Sequence, residues 1–175
     1  MAKPISRLEK LYYRLEAQHI CMAWAFEQIA TRPGIVFEIG LGHGRTFDHL
    51  RRYLPDREIY AFDRQVDSYP ECTPRPDQMI AGELSATLPE AAARFAGRVI
   101  LAHSDIGSFS AKHNATAPDA VSAHLPPALA EGALVLSDLP LAMPGTMRLP
   151  LPPGAREDRY FIYRFTRGQS FWPAA

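Results

Sequence analysis

The chain has 175 residues, 47% of them hydrophobic, which suffices for one domain with a substantial core. Its 19 basic and 19 acidic side chains cancel, so it lacks the basic excess typical of proteins that bind nucleic acids. It contains neither an apolar run near the ~20 residues that span a membrane nor an N-terminal signal core, which predicts a cytoplasmic protein without membrane contact.

A long helix is the first predicted element, and it ends at Pro33-Gly34. Ser6 and Glu9 have the spacing of a capping box, in which each side chain accepts the other residue's backbone N–H. At about 25 residues this helix is long, so a break near His19 stays an alternative. Apolar residues at helical spacing predict its buried stripe. They are Leu8, Leu11, Leu15, Met22, Phe26 and Ile29.

The stretch 35–46, IVFEIGLGHGRT, predicts a buried strand, a tight glycine turn and the start of a helix. Gly40, Gly42 and Gly44 follow the strand at a spacing of two, and such a turn lets the backbone approach a ligand closely. The helix behind it presents free N–H groups at its N-terminus, and Pro55 stops it. This arrangement at the carboxyl end of a parallel strand is typical of a nucleotide or cofactor site.

The glycine spacing and two acidic residues limit which kind of ligand could bind here. The glycines read G-x-G-x-G, whereas dinucleotide folds use G-x-G-x-x-G to hold a pyrophosphate. Glu38 lies inside the apolar strand, where it would repel a pyrophosphate and attract an ammonium group. Asp63 ends the next apolar run, where an acidic residue accepts hydrogen bonds from ribose hydroxyls. A cofactor with a ribose, an amino group and no phosphate fits this set.

The E-x-G-x-G-x-G pattern at 38–44, together with Asp63, resembles the class I S-adenosylmethionine-dependent methyltransferases. The similarity extends over residues 34–167, and more specifically the sequence resembles small bacterial proteins described as S-adenosyl-L-methionine methyltransferases. It implies an α/β three-layer sandwich with a Rossmann-like, mostly parallel seven-stranded sheet in the order 3-2-1-4-5-7-6, strand 7 being antiparallel. We therefore expect a single domain over 1–175, with a helical extension at 1–33, a core at 34–167 and a tail at 168–175.

Between the second and third strands, residues 64–77 contain three prolines, so we expect the usual helix to be shortened or replaced by a loop. A short strand at 79–81 ends in Gly82-Glu83. The resemblance places Glu83 near the adenine edge, although a solvated turn carboxylate is the alternative. Thr87 and Glu90 have capping-box spacing and predict the start of the next helix.

The fourth strand is predicted at 99–102, and the resemblance places the following His103-Ser104-Asp105 near the transferred methyl group. Residues 116–119 are expected to cap the next helix. The fifth strand, 133–137, ends at Asp138. In the family that the sequence resembles, a helix after the fifth strand helps to form a lid over the active site. The segment 139–145 contains two prolines and is too short for such a helix, so we expect a reduced C-terminal lid. Residues 146–151 and 159–166 can form a closing hairpin.

The expected site is drawn from the turn and the strand ends, with S-adenosyl-L-methionine as the cofactor. The residues expected to bind it are Glu38, Gly40, Leu41, Gly42, His43, Gly44, Thr46, Asp63, Gly82, Glu83, Ser104 and Asp105. His103 and Asp105 are the best placed for a general base, followed by His43 and Asp138, although each histidine has a structural alternative. Asp105 and Asp138 could hold Mg²⁺ as in catechol-type methyltransferases, but Leu139 stands where those enzymes have Asn, so we expect no metal.

Several functions fit these residues. Methyl transfer to a small molecule is favoured, with oxygen, nitrogen and carbon acceptors all open. A cofactor-binding module without turnover is the alternative, because the lid is reduced. The glycine spacing and Glu38 disfavour a nicotinamide-dependent oxidoreductase. Protein or RNA methylation also stays open, although the fourth strand is not followed by an N-P-P-Y-like motif.

The sequence also predicts a homodimer or higher homo-oligomer. The segment after the fifth strand is too short to roof the site, so a partner subunit would help to exclude water. Five aromatic side chains near the chain ends would otherwise be exposed. They are Tyr12, Tyr13, Trp24, Phe171 and Trp172. The alternative is that they pack onto their own chain.

Overall fold

The computed structural model describes residues 4–108 and 110–168, so the predicted tail aromatics lie outside the described residues. Seven strands form one sheet in the order β3-β2-β1-β4-β5-β7-β6. The strands are β1 Ile35–Ile39, β2 Ile59–Asp63, β3 Met79–Ala81, β4 Val99–Ser104, β5 Leu129–Ser137, β6 Thr146–Leu149 and β7 Phe161–Phe165. β7 runs antiparallel to both of its neighbours, while the other pairings are parallel. The predicted fold and strand order are therefore confirmed.

Four helices cover the two faces of the sheet. They are α1 Arg7–Ile29, α2 Arg45–Tyr53, α3 Leu84–Arg94 and α4 Ala111–His124. α1 and α2 pack on one face, and α3 and α4 pack on the other. Because successive strand residues point to opposite faces, Phe37 enters the α3 side, where its ring centroid lies 4.9 Å from that of Phe62. Glu38 consequently faces α1 and α2.

The capping box of α1 forms as predicted. The Glu9 amide donates to Ser6 Oγ at 3.2 Å, and the Ser6 amide donates to the Glu9 carboxylate at 2.6 Å. The helix then runs without a break through His19. It ends a few residues before Pro33, and the Arg57 guanidinium donates to the Ile29 carbonyl at 3.0 Å.

The predicted stripe of α1 is correct only in its second half. Met22 and Ile29 are buried against the sheet, whereas Leu8 is 76% exposed. Leu11 and Leu15 are also exposed. The reason is geometric, since Gln18 already lies level with the end of β4, so the residues before it extend past the sheet.

Two predicted helix starts are wrong. α3 begins at Leu84, so Thr87 lies inside it, and the Thr87 hydroxyl donates to the Glu83 carbonyl at 3.1 Å instead of capping. α4 begins at Ala111, because Ser110 Oγ accepts from the His113 amide at 3.2 Å. The expected cap at 116–119 therefore lies within α4. Both helices therefore begin before the predicted capping residues, which lie inside the helices.

The connections are mostly as expected. Residues 64–78 form a loop with one 3-10 turn at Pro70–Cys72, and no helix occurs at 138–145. β4 is longer than predicted, so His103 and Ser104 belong to the strand. Within the described ranges, no helix combines the length and hydropathy needed to cross a membrane.

Candidate functional site

The glycine turn connects β1 to α2 and is open at its outer corner. At Gly40, φ is +93° and a β-carbon would lie 2.4 Å from the Asp105 carbonyl oxygen, so only glycine lets the turn pass this close to the loop after β4. At Gly42, φ is +48° and a β-carbon would meet no atom within 4 Å. The turn is thus packed on its inner side and accessible at Gly42.

The end of β2 lies beside this accessible corner. Asp63 Oδ2 accepts from the Gly42 amide at 2.8 Å, and Oδ1 accepts from the Arg64 amide at 2.7 Å. The Gly82 amide donates to the Asp63 carbonyl at 2.9 Å, which brings the exposed Glu83 to the same edge. Each Asp63 carboxylate oxygen retains a lone pair, so the edge can accept further hydrogen bonds from a ligand.

The loop after β2 lies across the turn. The Tyr69 amide donates to the His43 carbonyl at 3.2 Å, and the two rings stack with centroids 5.3 Å apart. His43 Nδ1 also lies 3.1 Å from the Asp67 carbonyl oxygen. The structure therefore places His43 against this loop, and Leu41 is buried, so its side chain belongs to the core.

A buried pair of polar side chains lies beneath the turn. Glu38 and His103 are register partners on β1 and β4, both fully buried, and His103 Nδ1 lies 2.6 Å from Glu38 Oε2. The Thr46 hydroxyl of α2 donates to the other Glu38 oxygen. Both carboxylate oxygens are thus engaged within the protein. Glu38 has no exposed surface with which to meet a ligand directly.

Burial and pairing shift the pKa values of both residues. Burial raises the pKa of Glu38, and the hydrogen bonds from His103 and Thr46 oppose this. Burial alone would lower the pKa of His103, but the Glu38 carboxylate raises it above its usual value. The 2.6 Å hydrogen bond therefore holds a proton firmly between the two side chains.

α1 connects this pair to the strand end. The Gln18 amide nitrogen lies 3.2 Å from His103 Nε2 and donates to Asp105 Oδ2 at 3.1 Å. Arg14 donates to Asp105 Oδ1 at 2.6 Å. Burial would raise the pKa of Asp105, but His103 and Arg14 lower it below its usual value. Ser104 points to the opposite face, and its hydroxyl has no hydrogen-bond partner among the described residues.

Asp138 completes the cluster from the end of β5. Its carboxylate accepts from the amides of Ile106 and Gly107 at 3.2 and 2.9 Å, and Arg14 lies 3.7 Å away. Burial and the neighbouring Asp105 raise the pKa of Asp138 to about 6. Arg14 already balances the two carboxylates as a metal ion would, and the expectation of a metal-free site stays a prediction.

Four residues of this cluster were not predicted from the sequence. They are Arg14, Gln18, Gly107 and Tyr160. The only usable signal was Gln18, a polar residue on the part of α1 that otherwise buries small and apolar side chains. Gly107 gave no signal. A β-carbon there would lie 2.1 Å from Asp138 Oδ2, so only glycine lets this loop pack so closely against the carboxylate.

A protein-family model described as S-adenosyl-L-methionine methyltransferase matches residues 5–165. The chain belongs to this family. The crystal structure of the S-adenosyl-L-methionine methyl transferase from Silicibacter pomeroyi DSS-3 is 40% identical, covers 93% of this chain and 99% of that chain, and has a TM-score of 0.89. The resemblance of the E-x-G-x-G-x-G pattern is confirmed. S-adenosyl-L-methionine is the cofactor of this methyltransferase.

More distant structures share the fold. The Burkholderia thailandensis 1,6-didemethyltoxoflavin-N1-methyltransferase is 15% identical with a TM-score of 0.51, and covers 95% of this chain and 93% of that chain. The antibiotic-resistance methyltransferase Kmr is also 15% identical, with a TM-score of 0.52, covering 81% and 91%. A search of curated proteins finds no match to this methyltransferase.

The residues of the turn fit such a cofactor. Gly42 leaves space for close approach, and Asp63 offers carboxylate lone pairs at the position where ribose hydroxyls bind in this kind of fold. The exposed Glu83 lies at the same edge. A ligand with ribose hydroxyls and no phosphate is complementary to this acidic edge.

Substitutions at Gly40 and Gly42 should distinguish a contribution to stability from a contribution to cofactor binding. We expect Gly40→Ala to lower the free energy of unfolding by roughly 2–5 kcal/mol, because its methyl group would meet the Asp105 carbonyl in a strained conformation. Gly42→Ala should cost only about 1 kcal/mol while weakening the binding of S-adenosylhomocysteine. Urea unfolding and calorimetry measure the two effects. Equal stability losses in both variants would contradict this packing.

Asp138 should make stability depend on pH. Because its folded pKa of about 6 exceeds the ordinary aspartate pKa of 3.8, Asp138 contributes stability that is complete below pH 4 and is lost as the pH rises through 6. The free energy of unfolding of the wild type, relative to Asp138→Asn, should therefore fall by up to about 3 kcal/mol between pH 4 and 7. A constant difference in urea unfolding across this range would show that the carboxyl group titrates normally.

Proposed function

We propose that this methyltransferase transfers the methyl group of S-adenosyl-L-methionine to a small molecule bound between α1 and the end of β5. The observation that carries the proposal is Asp138, a carboxylate with a pKa near 6 at the wall of a cavity of about 560 Å³. Cavities of this size hold small molecules. The 1,6-didemethyltoxoflavin-N1-methyltransferase, which is named for a small-molecule acceptor, has the same fold.

We propose that the cofactor lies along the glycine turn, as the sequence predicts. The backbone of residues 40–44 would line it, and Asp63 would accept hydrogen bonds from the ribose. Gly82 and Glu83 would border the adenine, and Asp105 would lie near the sulfur. Glu38 and Thr46 would act indirectly, since Glu38 binds Thr46 and His103 and so fixes the position of the turn.

When bound, the cofactor supplies a methyl group on a positively charged sulfur, which leaves with the electron pair of the broken bond. The protein's task is then to align the acceptor, exclude water and receive any proton that the acceptor loses. Asp138 is the best proton acceptor, because its pKa lies nearer to neutrality than that of the Arg14-bound Asp105. His103 is fully buried, so we propose that it positions Asp105 through Gln18.

The alternative is a cofactor-binding module without turnover. The absence of a helix at 138–145 supports it, since the family resemblance implies a lid over the site in this segment and a short loop covers less of the site. Asp138 supports turnover, because its raised pKa and its position at a cavity are typical of catalytic residues, whereas a carboxylate with a purely structural role needs neither. Release of S-adenosylhomocysteine from S-adenosylmethionine in the presence of mixed phenols, amines and carboxylic acids would discriminate between the two. A cytoplasmic location stays a prediction.

Cofactor binding tests the first half of the proposal. S-adenosylhomocysteine at a hundredfold excess over its Kd should stabilise the protein by about 2.7 kcal/mol, and NAD should not. Asp63→Ala should weaken binding by about 1.5–3 kcal/mol, because a charged acceptor is lost. Asp77→Ala is the matched control, since Asp77 is 70% exposed and pairs only with Arg75 among the described residues. Stabilisation by NAD, or unchanged binding in Asp63→Ala, would reject the assignment.

We also propose that the protein is a homodimer paired through the exposed apolar face of α1. That face consists of Leu8, Leu11, Tyr12 and Leu15, with Ile5 just before the helix, and these side chains are 37–76% exposed. Two predicted contact residues instead pack within the chain. Arg156 covers the Tyr13 ring at 3.6 Å, and Trp24 lies against the core below α1. Since α1 also borders the cavity, pairing there would place the partner near the site.

Sedimentation at micromolar concentration measures the oligomeric state. The wild type should be about twice the 19.5 kDa chain mass, and Leu8→Arg with Leu15→Arg should shift it to monomer, because buried charges are costly. Val66→Arg is the control, since Val66 is 51% exposed on the loop after β2. A wild-type monomer, or a dimer that persists in the double variant, would exclude pairing through α1.

A further inference from the structure

The cavity beside Asp138 is lined by basic side chains that the proposed role of Asp138 as proton acceptor does not explain. Four basic side chains line it, against two acidic ones. The basic residues are Arg7, Lys10, Arg14 and Arg159, and the acidic residues are Asp138 and Asp158. The chain as a whole carries equal numbers of basic and acidic residues, so this excess is local. Such a lining attracts anions.

The basic residues come from two directions. Arg7, Lys10 and Arg14 follow one another at spacings of three and four, so they share one face of α1 and point into the cavity together. Arg159 comes from a different part of the chain, just before β7. Of the four, Arg14 already binds Asp105 at 2.6 Å. Arg7, Lys10 and Arg159 form no ion pair with any described carboxylate.

The backbone before Arg159 is in an unusual conformation. Asp158 has φ of +60°, and it is the one residue other than glycine with a positive φ in the described ranges. This conformation is unfavourable for a residue with a side chain, and such strain is typical of functional sites. It occurs at the turn that sends Arg159 into the cavity and Tyr160 into the core beside His103.

Hydrogen bonds hold the part of the cavity wall that follows β4. Asn114 accepts from the Ser108 amide at 2.8 Å and donates to the Ser108 carbonyl at 2.8 Å. Asp138 binds the amides of Ile106 and Gly107 in the same loop. The loop at 106–108 is therefore fixed by Asn114 of α4 and by Asp138 after β5, as a binding cavity requires.

We propose that the methyl acceptor is an organic anion whose carboxylate or phosphate group is bound by Arg7 and Arg159, which directs its nucleophilic atom toward Asp138. The proposal rests on the proposed methyl transfer and adds the chemical class of the acceptor. Arginine suits this task because its planar guanidinium binds carboxylate and phosphate through paired hydrogen bonds. Lys10 adds a third positive charge, and Leu11 supplies an apolar surface for the carbon skeleton.

Matched pairs of probes test this inference by calorimetry on protein saturated with S-adenosylhomocysteine. One arm compares 4-hydroxybenzoate with 4-hydroxybenzamide, and the other compares phenyl phosphate with phenol. In at least one arm the anion should bind tenfold or more tightly than its neutral partner, and added salt should reduce this preference. The arm that shows it distinguishes a carboxylate from a phosphate.

The matched variants locate the effect. Arg7→Gln with Arg159→Gln should abolish the preference for the anion while leaving S-adenosylhomocysteine binding unchanged. Arg52→Gln with Arg75→Gln removes the same charge from exposed positions elsewhere, at 73% and 70% exposure, and should retain the preference. Loss in both double variants would reveal a general field effect and overturn the proposal.

Two other outcomes also overturn it: no preference for the anion in either arm, and a preference that survives in Arg7→Gln with Arg159→Gln. Failure of S-adenosylhomocysteine to bind would instead reject the proposed methyl transfer. The anion comparison then still runs on the free protein, so the two failures are distinguishable.

Discussion

The hydrogen bond between Glu38 and His103 is the interaction on which the active end of the sheet depends. A buried carboxylate without a partner costs several kcal/mol, so β1 and β4 must keep the register that places these two residues side by side. Thr46 joins the pair from α2, and Gln18 joins it from α1. One contact therefore fixes the glycine turn, the strand end and the helix above them relative to one another.

The charges next to this pair give neighbouring carboxylates different properties. Asp105 and Asp138 lie at the ends of adjacent strands, where burial and the charge of Asp105 oppose the ionisation of Asp138. Arg14 lies closer to Asp105, which stays ionised, and Asp138 is left with a raised pKa. Two acidic groups with separated pKa values can take separate roles. Here the ionised Asp105 anchors α1 through Arg14, and Asp138 lines the cavity.

Much of the fold was predictable because its signals are local. The glycine spacing, the apolar run before it and Asp63 at the end of the next strand identified the turn and the family, and the strand order followed. The predicted helix starts at Thr87 and at 116–119 were wrong because a Ser or Thr followed three residues later by an acidic residue also occurs inside helices. The exposure of Leu8 was missed because periodicity does not reveal where a helix passes the sheet edge.

The site was only partly predictable, because its cluster is assembled over long distances in sequence. Gln18 and His103 are separated by 85 positions, and Arg14 and Asp105 by 91. Neither contact produces a sequence pattern within a single helix or strand. Glu38 was singled out correctly as a carboxylate inside a buried strand, and an ammonium group was expected beside it. Its partner in the structure is a histidine from the neighbouring strand, which the order of the sheet determines.

A double-mutant cycle at Glu38 and His103 tests this account most directly. Glu38→Gln and His103→Gln should each destabilise the protein by about 3 kcal/mol or more, because each leaves a buried polar group unpaired. The double variant, measured by urea unfolding, should be more stable than the sum of the single losses predicts, by at least about 1–2 kcal/mol. Losses that add within about 0.5 kcal/mol would contradict the claim that this pair organises the site.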